Sequence, residues 1–164
     1  MRVARRVIAV TGLDTPIEEL VRRTGHTILA GWAADCAERT LPYFEKKYPE
    51  DTRPREAIEA TRAWALTGVF RMADVRRASL AAHAAARDVA EDDAARSTAR
   101  AAGHAMATAH VPAHAIAAAR YAATAVRDAA STADADGAAT REREWQYRHL
   151  RELRGEGASG SNTP

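Results

Sequence analysis

Apolar residues recur at steps of three and four positions along most of the chain, the spacing that places side chains on one face of an α-helix. The clearest case is the segment 27–47, where Leu29, Trp32, Cys36 and Thr40 mark one buried face. Residues 1–10 are ambiguous between a short strand and the start of a helix. The helices that the pattern predicts lie at about residues 16–23, 27–47, 55–66, 72–89, 91–110, 112–129 and 138–153. We therefore predict an all-α, single-domain bundle of about seven helices.

Alanine dominates the predicted helices between Leu80 and Arg127, which we place close-packed at the centre of the bundle. Alanine has the highest intrinsic helix propensity, and its single methyl group lets helices approach closely. The few larger polar groups in this stretch include four of the chain's six histidines: His83, His104, His110 and His114. Pro112 should break the helix, so that His110 ends one helix and His114 lies in the first turn of the next. The stretch therefore predicts a seam between helices that is marked by histidines.

Polar and turn-forming residues divide the chain into three parts. Residues 1–24 form an N-terminal extension with one short helix, residues 25–153 form the helical domain, and residues 154–164 have the composition of a disordered tail. Pro42 should kink or restart the second long helix, because its ring clashes with the carbonyl four residues earlier. The inner face of the last helix should hold Trp145, either His149 or Leu150, and Leu153.

Composition and charge exclude several classes of function. The 164 residues fit one domain. The net charge of +2 comes from 24 basic and 22 acidic residues without a basic block, and aromatic residues make up only 5%, so we predict no nucleic-acid partner. No run reaches the roughly 18 apolar residues of a membrane span, and residues 7–10 are too short for a signal-peptide core. Cys36 is the only cysteine, which fits a reducing compartment. We therefore expect a cytoplasmic protein that does not contact a membrane.

The residues leave three roles open for the histidines. They could be structural groups bonded to carbonyls or carboxylates, acid/base or small-molecule-binding groups with pKa values tuned by burial, or metal ligands. His104 and His110 are six residues apart, about 120° around a helix, so a metal would need His83 or Asp35 from a neighbouring helix. Because the chain lacks the His-Glu-x-x-His pattern of zinc enzymes, we predict no metal site and no cofactor.

Asp35 follows an uncharged stretch, residues 27–34, where a carboxylate has either a raised pKa or a cationic partner. Arg39, one turn later, would pair with Asp35 in a purely structural ion pair. A histidine of the alanine-rich helices as the partner would instead indicate a functional site. The candidate catalytic pocket consists of His83, His104, His110 and Asp35. The residues that we expect to bind a ligand there are Trp32, Cys36, Arg87, His114 and Tyr121. Cys36 and the tryptophans have the simpler alternative of filling the core.

Several short phrases recur together in a known family. They are WAADCAE at 32–38, LPYFE at 41–45, DTRPREAI at 51–58, AAHAAAR at 81–87, AAGHAMATAH at 101–110 and EWQ at 144–146. In this order they resemble bacterial immunity proteins with an immunity-protein-5-like helical domain, over residues 25–153. The resemblance implies a cytoplasmic protein that binds a partner and neutralises a toxin.

Two functions of different classes are therefore weighed. The first is an immunity or resistance-type protein that binds and neutralises a toxin protein or a toxic small molecule, and that could form a homodimer. The alternative is a small cofactor-independent helical enzyme of natural-product or small-molecule chemistry, which uses the histidine and aspartate pocket for acid/base catalysis; a metal-dependent form of that pocket is third. An exposed apolar patch would favour partner binding, whereas an enclosed pocket around the histidines would favour ligand binding or catalysis.

Overall fold

The computed structural model describes residues 11–156, and helices make up most of this part of the chain. They are α1 (Asp14–Arg22), α2 (His26–Thr40), α3 (Pro42–Glu45), α4 (Arg53–Thr67), α5 (Met72–Asp88), α6 (Asp93–Ala107), α7 (His114–Ala129) and α8 (Ala135–Leu153). No strand occurs within residues 11–156, so the all-α prediction is confirmed. None of the helices in the same range combines the length and the apolar character that crossing a membrane requires. The ambiguous residues 1–10 and the part of the predicted tail from residue 157 onward lie outside the described residues.

The alanine-rich helices α5, α6 and α7 pack together, and α6 lies between the other two. On α6, Ala101, Ala102 and Ala105 are fully buried, in the same core cluster as Ala118 and Ala122 of α7. A methyl group is the only side chain at these positions, so the helix backbones come close together. Larger apolar side chains fill the remaining core, among them Trp32, Phe44, Ile17, Leu20 and Leu29.

Proline determines two of the breaks between helices. A new helix, α3, begins at Pro42 directly after α2, as predicted. The predicted break near Pro112 is also confirmed, but it starts earlier, because α6 ends at Ala107. His110 therefore lies in the turn that follows α6, whereas His114 is the first residue of α7. The connection between the two helices, residues 108–113, is therefore longer than the sequence indicates.

The last helix, α8, is held to the bundle by buried polar side chains. Arg143 is fully buried and donates to Gln146 Oε1 at 2.9 Å and to Asp14 Oδ1 of α1 at 2.8 Å. Gln146 Nε2 donates to the Ala119 carbonyl of α7 at 2.9 Å. The Gln146 carbonyl accepts a hydrogen bond from Trp32 Nε1 of α2 at 2.9 Å. These two residues of α8 thus connect three other helices.

The predicted inner face of α8 is therefore partly wrong. Leu153 is 40% exposed and Trp145 is only partly buried. The buried face consists of Ala138, Ala139, Glu142, Arg143, Gln146 and Leu150. Apolar periodicity does not predict this face, because a charged or amide side chain can occupy a core when partners from other helices satisfy its hydrogen bonds.

Replacing Arg143 tests this packing. Arg143→Met keeps a long side chain but leaves Asp14 Oδ1 and the Gln146 side chain without their donor, so we expect the free energy of unfolding to fall by ~3 kcal/mol or more. Arg141→Met is the matched control, because Arg141 is exposed and its ion pair with Asp134 should contribute ~1 kcal/mol at most. Urea unfolding measures both variants, and equal losses would contradict the structural role of Arg143.

Candidate functional site

Three histidines from three successive helices meet where α5, α6 and α7 pack together. The ring centroids of His83 and His104 are 4.9 Å apart in an edge-to-face arrangement, and His104 stacks on His114 at 5.3 Å. Tyr121, two turns after His114 along α7, stacks on His104. The centroids of these two rings are 5.3 Å apart, and the angle between their planes is 9°. We call His83, His104, His114 and Tyr121 the histidine seam. Four of the nine predicted site residues are thus brought together.

Hydrogen-bond geometry and burial together favour neutral imidazoles in the histidine seam. Arg100 Nη1 donates to His83 Nδ1 at 2.9 Å, and since a guanidinium cannot accept, this nitrogen carries no proton. His104 Nδ1 and His114 Nδ1 are 3.1 Å apart, so one donates and the other accepts. Burial lowers the pKa of His83 to about 4, with Arg100 and Arg87 adding to the shift. Burial likewise lowers the pKa of His104 to about 4, with further lowering by His83 and His114.

Gly103 allows the His83 ring to lie directly against the backbone of α6. A Cβ atom at position 103 would stand 2.7 Å from His83 Nε2 and 2.9 Å from both ring carbons next to it. One turn before His83, Ser79 Oγ donates to the Gly103 carbonyl at 2.9 Å. The imidazole therefore acts as a packing surface, and the contact between α5 and α6 depends on the absence of a side chain at Gly103.

Asp35 belongs to a separate network between α2, α4 and α8. Its Oδ1 accepts from Arg62 Nη1 at 2.5 Å, and its Oδ2 pairs with His149 Nε2 at 2.7 Å. Both expected partners, Arg39 and a histidine of the alanine-rich helices, are wrong. Arg39 instead donates twice to Glu142, at 2.8 and 3.0 Å. The reason is that α8 packs along this side of α2 and supplies a carboxylate for Arg39 and an imidazole for Asp35.

Trp145 connects the Asp35–His149 contact with the Arg39–Glu142 ion pair. Its ring stacks on His149 with centroids 4.7 Å apart, and the Arg39 guanidinium carbon lies 3.9 Å from a Trp145 ring centroid. The spacing of Trp145 and His149, four residues apart on a helix, was a signal in the sequence for their stacking. Arg62 and Arg100 carried no such signal, because each acts on a residue of another helix.

The remaining predicted site residues have other surroundings. Trp32 is fully buried and bonded to α8. Cys36 is fully buried, and burial raises the pKa of its thiol well above the ordinary value, so it is a packing residue rather than a nucleophile. Arg87 and His110 are exposed. One pocket holding all predicted residues does not form, and within residues 11–156 no three His, Cys, Asp or Glu side chains are arranged to hold a metal ion.

Large exposed apolar side chains gather at one end of the bundle. Within residues 11–156 they are Ile28, Leu66, Val69, Phe70, Met72, Leu80, Val111 and Leu153, which we call the apolar end. The start of α2 meets the end of α6 there, because His26 Nε2 donates to the Thr108 carbonyl at 2.5 Å. Near the end of α4, the Trp64 ring contacts the rings of His26 and Phe70. Leu66 is 87% exposed, so the surface presents substantial apolar area to solvent.

Two grooves open on the apolar end. The first, between α2 and α4, has a volume of about 270 Å³ and is lined mainly by Ile28, Gly31, Ala65, Leu66 and Leu153, with Asp35 and Arg62 at its polar side. We call it the α2–α4 groove. The second has a volume of about 150 Å³ and is lined by Met72, Val75, Arg76, Ser79, Leu80, Ala107 and His110. Both are open to solvent and combine apolar walls with a charged group.

Two glycine substitutions test the packing of His83. Gly31 and Gly103 both lie inside helices, where alanine is favoured over glycine by about 1 kcal/mol. A Cβ atom at Gly31 meets no other side chain or neighbouring backbone within 4 Å, so we expect Gly31→Ala to stabilise the fold by ~0.5–1 kcal/mol. Gly103→Ala must displace His83, and we expect a loss of ~1–3 kcal/mol. Thermal unfolding measures both, and a more stable Gly103→Ala protein would contradict the close contact.

The lowered pKa values of the seam predict a loss of stability in mild acid. Because the folded pKa values of His83 and His104 are about 4, against an ordinary 6.5, the unfolded chain binds more protons as the pH falls through this window. We expect the free energy of unfolding to fall by ~1–2 kcal/mol between pH 6.5 and about pH 5. This loss is smaller than the two pKa shifts alone would give, because both rings are partly exposed to solvent.

Chemical unfolding at a series of pH values measures this slope. His104→Gln should flatten it, whereas His110→Gln, at an exposed histidine, should leave it unchanged. A His104→Gln protein with the same slope as the unaltered chain would show that the seam does not cause it.

A comparison with protein families places these features in one family. Residues 19–153 match the family model of the Imm-5 like putative immunity protein. No curated protein and no solved structure is significantly similar to the chain. The match includes α2–α8 and therefore the histidine seam, the Asp35 network and all eight residues of the apolar end. Since it covers most of the chain, the resemblance carried by the sequence phrases is confirmed, and the chain belongs to the Imm-5 like family of immunity proteins.

Proposed function

We propose that the chain is a cytoplasmic immunity protein that neutralises a protein toxin by direct, stoichiometric binding, with the apolar end as its docking surface. The observation that carries the proposal is the set of eight large exposed apolar side chains of the apolar end, five of which line its two grooves. Exposed apolar surface of this kind is characteristic of interaction sites, because its exposure to water is unfavourable until a partner covers it. Membership of an immunity-protein family supplies the class of partner, a toxin.

The histidine seam supports a binding function because its properties suit packing better than catalysis. Its imidazoles bond or stack with one another and with Arg100, and the contact of His83 with Gly103 leaves no room for even a methyl group. A general base works best when its pKa is near the working pH. With pKa values of about 4, His83 and His104 are weak proton acceptors at neutral pH.

One observation favours a second candidate, an enzyme or binding protein for a small molecule. His149 and Asp35 pair at 2.7 Å beside the α2–α4 groove, and a carboxylate that orients an imidazole is a common acid/base arrangement. Arg62 engages the other oxygen of Asp35, which ties the carboxylate into a structural ion pair. The groove is also smaller than the ~300–1,000 Å³ that pockets for drug-sized ligands occupy. We therefore place toxin binding first.

Titration of a toxin by the purified chain separates binding from catalysis. Toxin domains encoded beside the gene are co-expressed with the chain, and the one whose toxicity is relieved is purified. We expect inhibition to be complete at equimolar chain, with an equimolar complex in size-exclusion chromatography coupled to light scattering. Inactivation by far less than one equivalent, increasing with time, would contradict the proposal and favour an enzyme. The proposal would also be contradicted if the chain relieved the toxicity of none of these toxin domains.

Two variants locate the interaction. Leu66→Asp places a charge on a side chain that is 87% exposed, so the fold should persist while affinity falls by at least about thirtyfold. His104→Ala should lower stability by ~1–3 kcal/mol through the lost contacts of the seam but leave affinity per folded molecule unchanged. Isothermal titration calorimetry and thermal unfolding on both variants test this, and the reverse pattern of effects would place the binding site at the histidines.

A further inference from the structure

We propose that the α2–α4 groove receives one apolar side chain of the toxin, and that lysine or arginine side chains next to this anchor bind a row of carboxylates that begins at the groove. The inference rests on the proposed function and adds the position of the anchor and the charge of the partner. Interfaces commonly concentrate their binding energy in a few side chains that fill pockets. Complementary charges around such a pocket select the partner and accelerate its association.

The size and the lining of the groove suit a single side chain. Its volume of about 270 Å³ exceeds the ~150 Å³ of an apolar cavity that holds a benzene ring, and it is below the range of pockets for drug-sized ligands. The apolar walls come from Ile28 of α2, Ala65 and Leu66 of α4, and Leu153 of α8. Because Ile28, Leu66 and Leu153 are exposed, a side chain that enters the groove covers apolar area that now faces water.

Gly31 keeps the groove open between α2 and α4. It lies in the interior of α2, where glycine is less favourable than alanine, and its backbone φ is not in the left-handed region. A Cβ atom at this position would meet no other side chain or neighbouring backbone within 4 Å. Packing therefore does not require glycine here, in contrast to Gly103, whose Cβ would contact His83. What the glycine provides is free space in the groove.

Carboxylates outnumber cations on the surface of α2, α3 and α4 next to the groove. Two arginines of α4 each form ion pairs with two carboxylates. Since guanidinium and carboxylate groups are ionised at neutral pH, two positive and four negative charges leave a net charge of −2. We call these six residues the acidic row: Arg62 with Asp35 and Glu38, and Arg55 with Glu45 and Glu59.

The acidic row is continuous and begins at the groove. Asp35 lines the polar side of the groove, and Glu38, one turn later on α2, shares its arginine partner. The hydrogen bond with Glu45 raises the pKa of the Arg55 guanidinium, and the charges of Glu59 and Glu38 raise it further. Glu38 therefore lies close to both arginines, and the row extends from the groove along α2 and α4 to α3.

The neighbouring charges on α8 do not offset the acidic row. Residues 144–156 contain three arginines and three glutamates, so their charges cancel. His149 adds a positive charge only when it is protonated, and Arg39 is paired with Glu142. Arg76 of the apolar end lines the second groove. The surface next to the α2–α4 groove is therefore acidic and favours a basic partner.

The geometry of the acidic row predicts where the cations of the partner lie. On α2, Asp35 and Glu38 follow Gly31 by four and seven residues, which corresponds to ~6 and ~10 Å along the helix axis. An extended peptide advances ~3.3 Å per residue. Lysine or arginine about two to four residues from the apolar anchor would therefore face these carboxylates.

The charge of the acidic row argues against a second copy of the chain as the occupant. In a two-fold symmetric dimer the same surface patch lies on both sides of the interface. A dimer formed through the groove would bring two acidic rows into one interface, where like charges repel. A partner with basic residues around its anchor avoids this repulsion.

Filling the groove tests the position of the anchor. Gly31→Leu places a side chain into the free space without a clash at Cβ, and leucine is a better helix former than glycine, so the fold should be retained. We expect Gly31→Leu to lower affinity for the toxin by at least about thirtyfold, and the control Gly31→Ala to stay within about threefold of the unaltered chain. Unchanged affinity of Gly31→Leu, with the toxin still titrated at one equivalent, would overturn the inference and leave the proposed function intact.

Reversing charges of the acidic row tests the charge of the partner. The side chains of Glu38 and Glu59 are 50% and 63% exposed, so the fold should tolerate the double variant Glu38→Lys, Glu59→Lys. The control Glu91→Lys, Glu144→Lys makes the same change in net charge at exposed residues outside the row.

Stopped-flow mixing with the toxin measures both double variants at two salt concentrations. We expect the association rate to fall by at least about tenfold in the row variant and its dependence on salt to weaken, with less than about a twofold change in the control. An equal or faster association rate in the row variant would overturn the inference.

A peptide probe tests the same chemistry without the toxin. Chemical-shift mapping of the ¹⁵N-labelled full chain uses KSKSWSKSK, with ESESWSESE and KSKSSSKSK as controls for charge and for the aromatic ring. We expect shift changes at Gly31, Glu38 and Leu66 with KSKSWSKSK only, and their absence in Gly31→Leu. No changes at millimolar KSKSWSKSK, or equal changes with either control, would overturn the inference. Changes with KSKSWSKSK when no toxin forms a complex would overturn the proposed function and, with it, the toxin as the occupant.

Analytical ultracentrifugation of the free chain tests the remaining occupant. We expect a monomer for the unaltered chain and for Gly31→Leu. A dimer that Gly31→Leu dissociates would assign the groove to a second copy of the chain and overturn the inference.

Discussion

The close approach of α5, α6 and α7 is the constraint on which the rest of this structure depends. Alanine at the buried positions and the absence of a side chain at Gly103 allow this approach. It leaves little space for polar groups, and those that remain must be uncharged, since a desolvated charge is unfavourable. Burial accordingly lowers the pKa values of His83 and His104, and these imidazoles act as flat, neutral packing groups. The composition suggested a chemically active histidine seam, but packing between the helices explains why these histidines are there.

A bundle built from alanine gains little apolar burial from each side chain, and α8 compensates with directional contacts. Arg143 and Gln146 reach α1, α2 and α7 through buried hydrogen bonds. The same helix presents Glu142, Trp145 and His149 to α2, where they determine the partners of Arg39 and Asp35. Buried polar contacts of this kind specify one arrangement of helices more strictly than methyl groups do. The position of α8 therefore also determines the shape of the α2–α4 groove.

The interior and the apolar end differ in what remains unsatisfied. In the interior, the histidines and the two Nη atoms of Arg143 have bonding partners, whereas the apolar end exposes Leu66, Val69 and neighbouring side chains to water. Free energy available for binding comes from groups whose interactions are incomplete in the free protein. This contrast is the physical basis for assigning the function to the surface rather than to the histidines.

The sequence by itself determined the helices, the break near Pro112, the central place of the alanine-rich segments and the family, because periodicity, propensity and short phrases are local properties of a chain. It also indicated that His83 and His104 would meet. Only the tertiary structure decided the partners of Asp35, since Arg62 and His149 lie 27 and 114 residues away and a local pattern offers only Arg39. The position of the apolar end was likewise decided only by the tertiary structure. Which apolar residues stay exposed depends on where the helix ends lie in space, and contacts between helices are set by their crossing geometry rather than by spacing along the chain.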